Sequence, residues 1–401
     1  MAKRLLNFKE KYLAYTKRQR RKAGKHAILG IIICLVAMTL IRVVEPSAAE
    51  SEYQQEQNTV FTSAMVGDMM TGRHVEEIAN QEGYESLFQY AKPTLEAADY
   101  TIGNFENPIV DNPDQTEEAD KIINLSSKSG AIDGLEDAGF DAVNLANNHM
   151  MDYQYAGLNE TLQAFQNSSI DVVGAGANAN EAHNYTLSTH NGMDVATLGV
   201  NDITYANMEQ AGPNSSGILT SQDPSAYIDA VQRADANADL VIVNIHFGQE
   251  YDSTPTTRQR QMTQAIADAG ADVIIGAHPH VLQSVEVYNN TFIMHSIGNF
   301  VFDQGWTRTR DSVIANYSLG EDGTAHLEMQ PFRVFEATPR PVESAFHRER
   351  IFRQLTKDTQ NKDAIIENGE HLVFEADHSN VIDSMEQSSN QNNNQNTTQN
   401  Q

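Results

Sequence analysis

Five times in this sequence a short apolar run stops on residue types that hold metal ions. The places are Gly67-Asp68, Gly103-Asn104-Phe105-Glu106, Asn147-Asn148-His149, Ile245-His246-Phe247-Gly248 and His278-Pro279-His280. Short apolar runs bounded by polar turns read as buried strands, and the stretches between several of them carry helical spacing. In an open α/β sheet the carboxyl ends of the strands face one crevice, so side chains far apart in sequence meet there. The pattern therefore predicts an α/β layered fold with mixed sheets and one shared polar site.

The alternation is regular from Thr59 on. VFTSAMVGD predicts a strand ending on Asp68, and ESLFQYAKPTLEAA a helix carried through Pro93. Strands follow at 99–102, 141–149 (running into a polar loop), 170–173, 194–200, 240–246 and 272–280. Helices are expected at 127–138, 156–166, 225–236 and 257–269. Further strands at 281–288, 291–297, 311–318 and 323–330 make a strand-rich end. The main domain spans 59–335, residues 336–385 form a C-terminal extension at its periphery, and the Asn/Gln-rich 386–401 reads as a disordered tail.

The strand-end groups make one chemical set. Asp68 and Glu106 offer carboxylates, Asn148 an amide oxygen, and His246, His278 and His280 imidazoles. Such mixed N/O donors suit Mn, Fe or Zn better than Ca or Mg, and a carboxylate lying between two cations serves a two-metal site. One or two divalent ions are expected. Alternate residues of a strand project to one side, which is the reason to pair His278 with His280. Asn104 and Asn147 lie in the same segments and are candidates for substrate contact, and Arg73, Arg308 and Arg310 are candidates to grip an anionic group bidentately.

Charge divides the chain. Residues 1–42 hold 11 of the 27 Lys and Arg and one acid, Glu10, whereas the remainder holds 16 basic and 53 acidic side chains. The first part ends in the apolar run AILGIIICLVAMTLI, extended past Arg42 by Val43 and Val44. Eighteen helical residues span roughly 27 Å, close to the hydrocarbon thickness of a bilayer. The reading is a basic cytoplasmic segment over 1–26, a transmembrane anchor over 27–44, a linker over 45–58 and an exported acidic domain. A competing reading is a cleaved signal peptide, with Ser47-Ala48-Ala49 as the small-residue site. The acidic surface excludes nucleic acid as a partner. Cys34, the lone cysteine, lies inside the apolar run, so neither disulfides nor thiolate ligands are available.

The blocks VGDMMTGR, GNFENP, ANNHMMDY, HFGQEYD, DAGADVIIGAHPHV and SIGNFVFDQGWTRTRDS resemble the CapA-type capsule-biosynthesis family, in particular its poly-γ-glutamate branch in Gram-positive bacilli. That family is similar in turn to calcineurin-like metallophosphoesterases, whose fold is a four-layer α/β sandwich. The resemblance implies that Asp68 is the first-strand ligand and that Glu106 stands where a bridging carboxylate is expected. It also implies Asn148, His246, His278 and His280 as further ligands, and His149 as a non-ligand acid near the leaving group. One position departs from the phosphoesterase pattern: the second residue after the first aspartate is Met70 instead of histidine, and a thioether is a poor ligand for a borderline divalent ion. The implied role is an extracellular, membrane-anchored component of poly-γ-glutamate synthesis and export. Its expected partners are the other membrane subunits of that synthase and the anionic polymer or its precursor. The alternatives are a working hydrolase of a phosphoester or amide bond and a non-catalytic scaffold.

Overall fold

The run LVIVNIH shows how the sequence builds the layers. In the strand Leu240–His246 every residue is buried, Leu240 and Ile242 on one face and Val241, Val243 and Ile245 on the other. A strand apolar on both faces belongs in the middle of a covered, largely parallel sheet. It pairs in parallel with Met193–Asn201 and with Val273–Ala277. The full order of this sheet is Val285–Tyr288, Thr291–Met294, Val273–Ala277, Leu240–His246, Met193–Asn201 and Thr186–His190, its two edge strands antiparallel.

A computed structural model describes residues 7–20, 22–43, 58–203 and 210–387, without the side chains of 37–43 and 368. The chain divides into two compact units, up to residue 49 and from residue 50 on. The first contains the helices Phe8–Arg20 and Ala23–Val43. Among the described residues no helix is long and apolar enough to cross a membrane. The expected anchor over 27–44 is helical through Val43, but Val44 and the side chains of its last turns lie outside the described residues. Most of the linker expected at 45–58, and the tail from 388 on, also lie outside them.

The second unit carries a larger sheet of ten strands. Its main path runs Ile365–Asn368, Leu372–Asp377, Thr324–Phe335, Asp311–Gly320, Thr59–Met69, Tyr100–Phe105, Ala142–Asn144 and Asp171–Val173. Asn299–Val301 joins beside Thr59–Met69, and Thr338–Pro341 beside Thr324–Phe335. Both large sheets are mixed. Between them lies a core with Phe61, Met65, Tyr100, Ile242, Phe292, Tyr317 and Phe374. A second cluster packs the larger sheet against helices through Val75, Leu87, Leu135 and Leu158, and a third packs the smaller sheet against Tyr227, Val231 and Ile266. The order helix, sheet, sheet, helix makes four layers. Each fully buried aromatic here contributes about 1.5–3 kcal/mol of burial, and truncating one costs roughly 3–5 kcal/mol.

Three departures from the sequence reading have physical causes. The helix expected over 85–98 is a 3₁₀ turn Tyr84–Phe88 and a short helix Lys92–Leu95, because Pro93 is tolerated in a first helical turn and not in an interior. Residues 336–385 are not peripheral. They supply three strands of the larger sheet, and Ile351, Phe352 and Leu355 of the helix Ala345–Thr356 enter the core between the sheets. The segment 278–284 is loop rather than strand, with the strand ending at Ala277. The helix Thr257–Asp268 agrees closely with expectation, and a capping box of Thr256 and Gln259 fixes its start.

Candidate metal centre

Strand alternation aims the first imidazole. Leu240 and Ile242 face the gap between the sheets, so Asn244 and His246 follow on the same side. The larger sheet answers with Asp68, which sits where its strand shifts register against both parallel neighbours. Such a shift bends the strand and re-aims a side chain. Room for this comes from glycine: a Cβ on Gly67 would lie 1.8 Å from the carbonyl oxygen of Gly298, whose own φ is 73°. The same carbonyl accepts the Asp68 N–H at 3.0 Å.

The remaining groups enter from loops. Glu106 follows the strand Tyr100–Phe105, and its N–H donates to the Met69 carbonyl at 2.8 Å. Asn148 lies in the turn after Ala142–Asn144. His278 and His280 both adopt left-handed backbone, with φ of 95° and 55°. Their convergence therefore comes from a strained loop and not from strand alternation, at a cost of about 1–3 kcal/mol per residue.

All six expected ligands meet. His246 Nε2 lies 2.7 Å from Asn148 Oδ1, 3.2 Å from His278 Nδ1 and 3.6 Å from Glu106 Oε1. His280 reaches Asp68 Oδ2 at 3.1 Å through Nδ1 and Glu106 Oε1 at 3.7 Å through Nε2. Two groups have ligand atoms within 4.8 Å of one another: Glu106 with His246 and His278, and Glu106 with Asp68 and His280. Glu106 is common to both.

The decisive feature is the state of Glu106. It is fully buried, and neither carboxylate oxygen has a hydrogen-bond partner. Leaving an ionised carboxylate without a hydrogen bond in such a place, beside imidazoles that burial keeps neutral, costs several kcal/mol, so it must take a proton or a cation. Burial, and then the neighbouring Asp68, push its pKa well above the ordinary carboxylate range. Burial pushes His246 and His278 well below the usual histidine value, and neighbouring histidines add to this. Neutral imidazoles beside an orphaned carboxylate and an amide oxygen fit a divalent ion of the Mn, Fe or Zn kind. Met70 is no part of it: it is buried in the helix-side core, and its sulfur accepts the Gly72 N–H at 3.2 Å.

Other expected residues fall around this centre with different roles. Asn104 and Asn147, read as substrate contacts, are buried and their amides are spent inside the protein. Asn104 Nδ2 donates to Asp68 Oδ1 at 2.8 Å and lies 3.2 Å from His246 Nδ1, while its Oδ1 accepts from Asn144. Asn147 donates to the Phe105 carbonyl and accepts the His149 N–H. Both orient ligands or the loop that carries them. His149 Nδ1 lies 2.6 Å from Asp152 Oδ2, and Asp152 is held in turn by Lys121 and by the Leu125 N–H. Burial lowers the His149 pKa and the Asp152 hydrogen bond opposes that.

Arg73 pairs with Asp303 and lies 5.9 Å over Phe302, whose ring is 4.8 Å from His280, so it stands at the rim. Arg308 is exposed and Arg310 lies over Phe335; the structure assigns neither to the centre. Sequence reasoning missed Asp152, Lys121 and Asn299. The spacing of three from His149 to Asp152 fits a single reverse turn, closed by the Asp152 N–H on the His149 carbonyl at 3.0 Å, and was a usable signal. Asn299 Oδ1 lies 2.9 Å from His280 Nδ1, a contact no local pattern announces.

Residues 62–304 match the family described as bacterial capsule synthesis protein PGA_cap. A capsule biosynthesis protein CapA of Bacillus anthracis is 40% identical, over 96% of this chain and 94% of that protein. A PGA biosynthesis protein CapA of Bacillus subtilis (strain 168) is 42% identical, over 95% of this chain and all of that protein. Among solved structures, a 5'-nucleotidase from Candida albicans SC5314 superposes with a TM-score of 0.36 at 11% identity, over 66% of this chain and 49% of that one.

Proposed function

We propose, for a chain that belongs to the bacterial capsule synthesis protein family PGA_cap, that it is a membrane-anchored, outward-facing component of poly-γ-glutamate synthesis and export. Two relatives alike over nearly the whole chain, and named for capsule and PGA biosynthesis, support the pathway. The basic start, the apolar run over 27–44 and the acidic remainder support the anchor and the orientation. The other membrane subunits of the synthase and the anionic polymer or its precursor are the partners this reading requires. Deleting the gene in a polymer-producing host should remove surface polymer; an unchanged polymer coat sinks the reading.

Within that role the buried Glu106, whose two oxygens lack hydrogen-bond partners, carries the proposal of a divalent-metal site of the calcineurin-like phosphoesterase type. Asp68, Glu106 and His280 would hold one ion, and Glu106, His246 and His278 the other, with Asn148 beside the second. A bound ion would supply Lewis acidity and charge neutralisation among these buried side chains. Elemental analysis of full-length protein should find Mn, Fe or Zn in the wild type and less than half as much in His278→Ala. Absence of metal from both would leave a structural relic.

A second reading, hydrolysis of a phosphoester or amide bond, is favoured by the pair His149 and Asp152. Asp152 fixes the His149 ring, so the far ring nitrogen is the place to hold a proton for a leaving atom. Turnover should then fall about 10²–10⁴-fold in His149→Ala with metal content unchanged. Equal turnover in both proteins refutes this role.

A further inference from the structure

Four arginines of the acidic unit, Arg310, Arg333, Arg340 and Arg350, gather in one place. Across three adjacent strands the paired positions Asp311, Arg333 and Arg340 form a single row. Phe335, two residues beyond Arg333, lies under three guanidiniums, with Arg310 at 5.6 Å, Arg333 at 5.3 Å and Arg340 at 5.9 Å from its ring centre. The helix Ala345–Thr356 adds Arg350, which joins Arg333 on Asp311. Four guanidiniums thus gather around Phe335 and Asp311, two of them paired with that carboxylate, in a region where basic side chains number 16 against 53 acidic ones. The buried Nε atoms of Arg340 and Arg350 have no hydrogen-bond partner.

The row stands at the same end of the sheet as the metal centre. The strand beginning at Asp311 runs antiparallel to Thr59–Met69, so its first residue lies near the end carrying Asp68. The intervening loop holds Trp306, 69% exposed and stacked 5.6 Å from Tyr251, whose ring is 6.2 Å from His280. Asn299 ties the two places together, touching His280 through Oδ1 and the Thr309 carbonyl through Nδ2.

We propose that the arginine row around Phe335 is a second, metal-independent site that grips successive carboxylates of a polyanionic chain. This inference rests on the polymer-handling reading above and names the surface that performs it. Guanidinium forks match carboxylates bidentately, and the net positive charge of the cluster is a local exception that draws a polyacid to one part of an otherwise repelling surface. The exposed Trp306 offers a flat apolar step between the row and the metal centre.

The test is fluorescence anisotropy of labelled poly-γ-glutamate oligomers with full-length protein. Arg310→Gln combined with Arg340→Gln avoids the buried Asp311 pairs and should weaken binding roughly tenfold or more. Arg310→Lys with Arg340→Lys should keep the charge and recover only part of the affinity. Wild-type binding should be the same with and without a metal chelator. Wild-type binding unmoved by the Gln pair overturns this site and leaves the polymer reading standing. No binding by wild type overturns both. Displacement by inorganic polyphosphate of equal charge as effective as by unlabelled polymer overturns the assignment to carboxylates.

Discussion

The two large sheets bring different chemistry to the same crevice. The larger sheet and its loops give Asp68, Glu106 and Asn148, all oxygen donors; the smaller gives His246, His278 and His280, all nitrogen donors. Neither sheet alone offers a set that closes around a borderline divalent ion. The difference teaches that a bound cation would act as a tie between layers as well as a reactive centre. It also shows an asymmetry, since one carboxylate serves both ligand groups while the histidines are divided between them.

The largest expected effect breaks that asymmetry. Glu106→Gln should reduce affinity for both ions, by roughly 100-fold or more, whereas His280→Ala should remove one ion and spare the other. Isothermal titration with Mn or Zn reads both the affinity and the stoichiometry; equal losses in the two variants would show that Glu106 does not bridge.

The tie between sheets sets the next effect. A ligand at about 100 times its Kd stabilises the folded state by about 2.7 kcal/mol. Saturating metal should therefore raise the wild-type melting temperature by several degrees and leave that of Glu106→Gln nearly unmoved. A rise of equal size in both would locate the stabilising ion elsewhere.

A smaller change separates the ligands from the groups that aim them. Asn104→Ala removes a hydrogen bond to Asp68 and a neighbour of His246, and should cost about 10-fold in metal affinity. Unchanged affinity would make Asn104 a packing residue only.

The least effect lies far from the crevice, at a histidine in the opposite situation. Whereas burial lowers His246 and His278, the exposed His371 is raised, chiefly by its hydrogen bond to Glu328 at 2.7 Å. A histidine raised on folding adds stability that is fully present below its unfolded value and lost as pH rises through its folded value. His371→Gln should thus lose about 0.5 kcal/mol or less near pH 5.5 and nothing near pH 8.5 in urea unfolding. A loss that grows with pH would reverse the assignment.

What the sequence made legible were features written locally. Strands such as LVIVNIH announce themselves by continuous apolar character, and the polar residue that ends each run marks the crevice. Asp68, Glu106, Asn148, His246, His278 and His280 were all found that way and all meet. What was not legible depends on pairing and backbone strain. The left-handed His278 and His280, the inward commitment of Asn104 and Asn147, and the contact of Asn299 with His280 follow from neighbours distant in sequence. The arginine row is of the same kind, since Asp311, Arg333 and Arg340 form a row only once three strands are in register.

Gly67 has a consequence for how this protein can change. A methyl group there would stand 1.8 Å from the Gly298 carbonyl oxygen, so two segments more than two hundred residues apart share a single atom's worth of clearance. In a saturation scan every replacement at 67 should fail together with the metal centre, although residue 67 offers no side chain to bind anything. Revertants, where they arise, should map to the backbone around 298 rather than to any ligand.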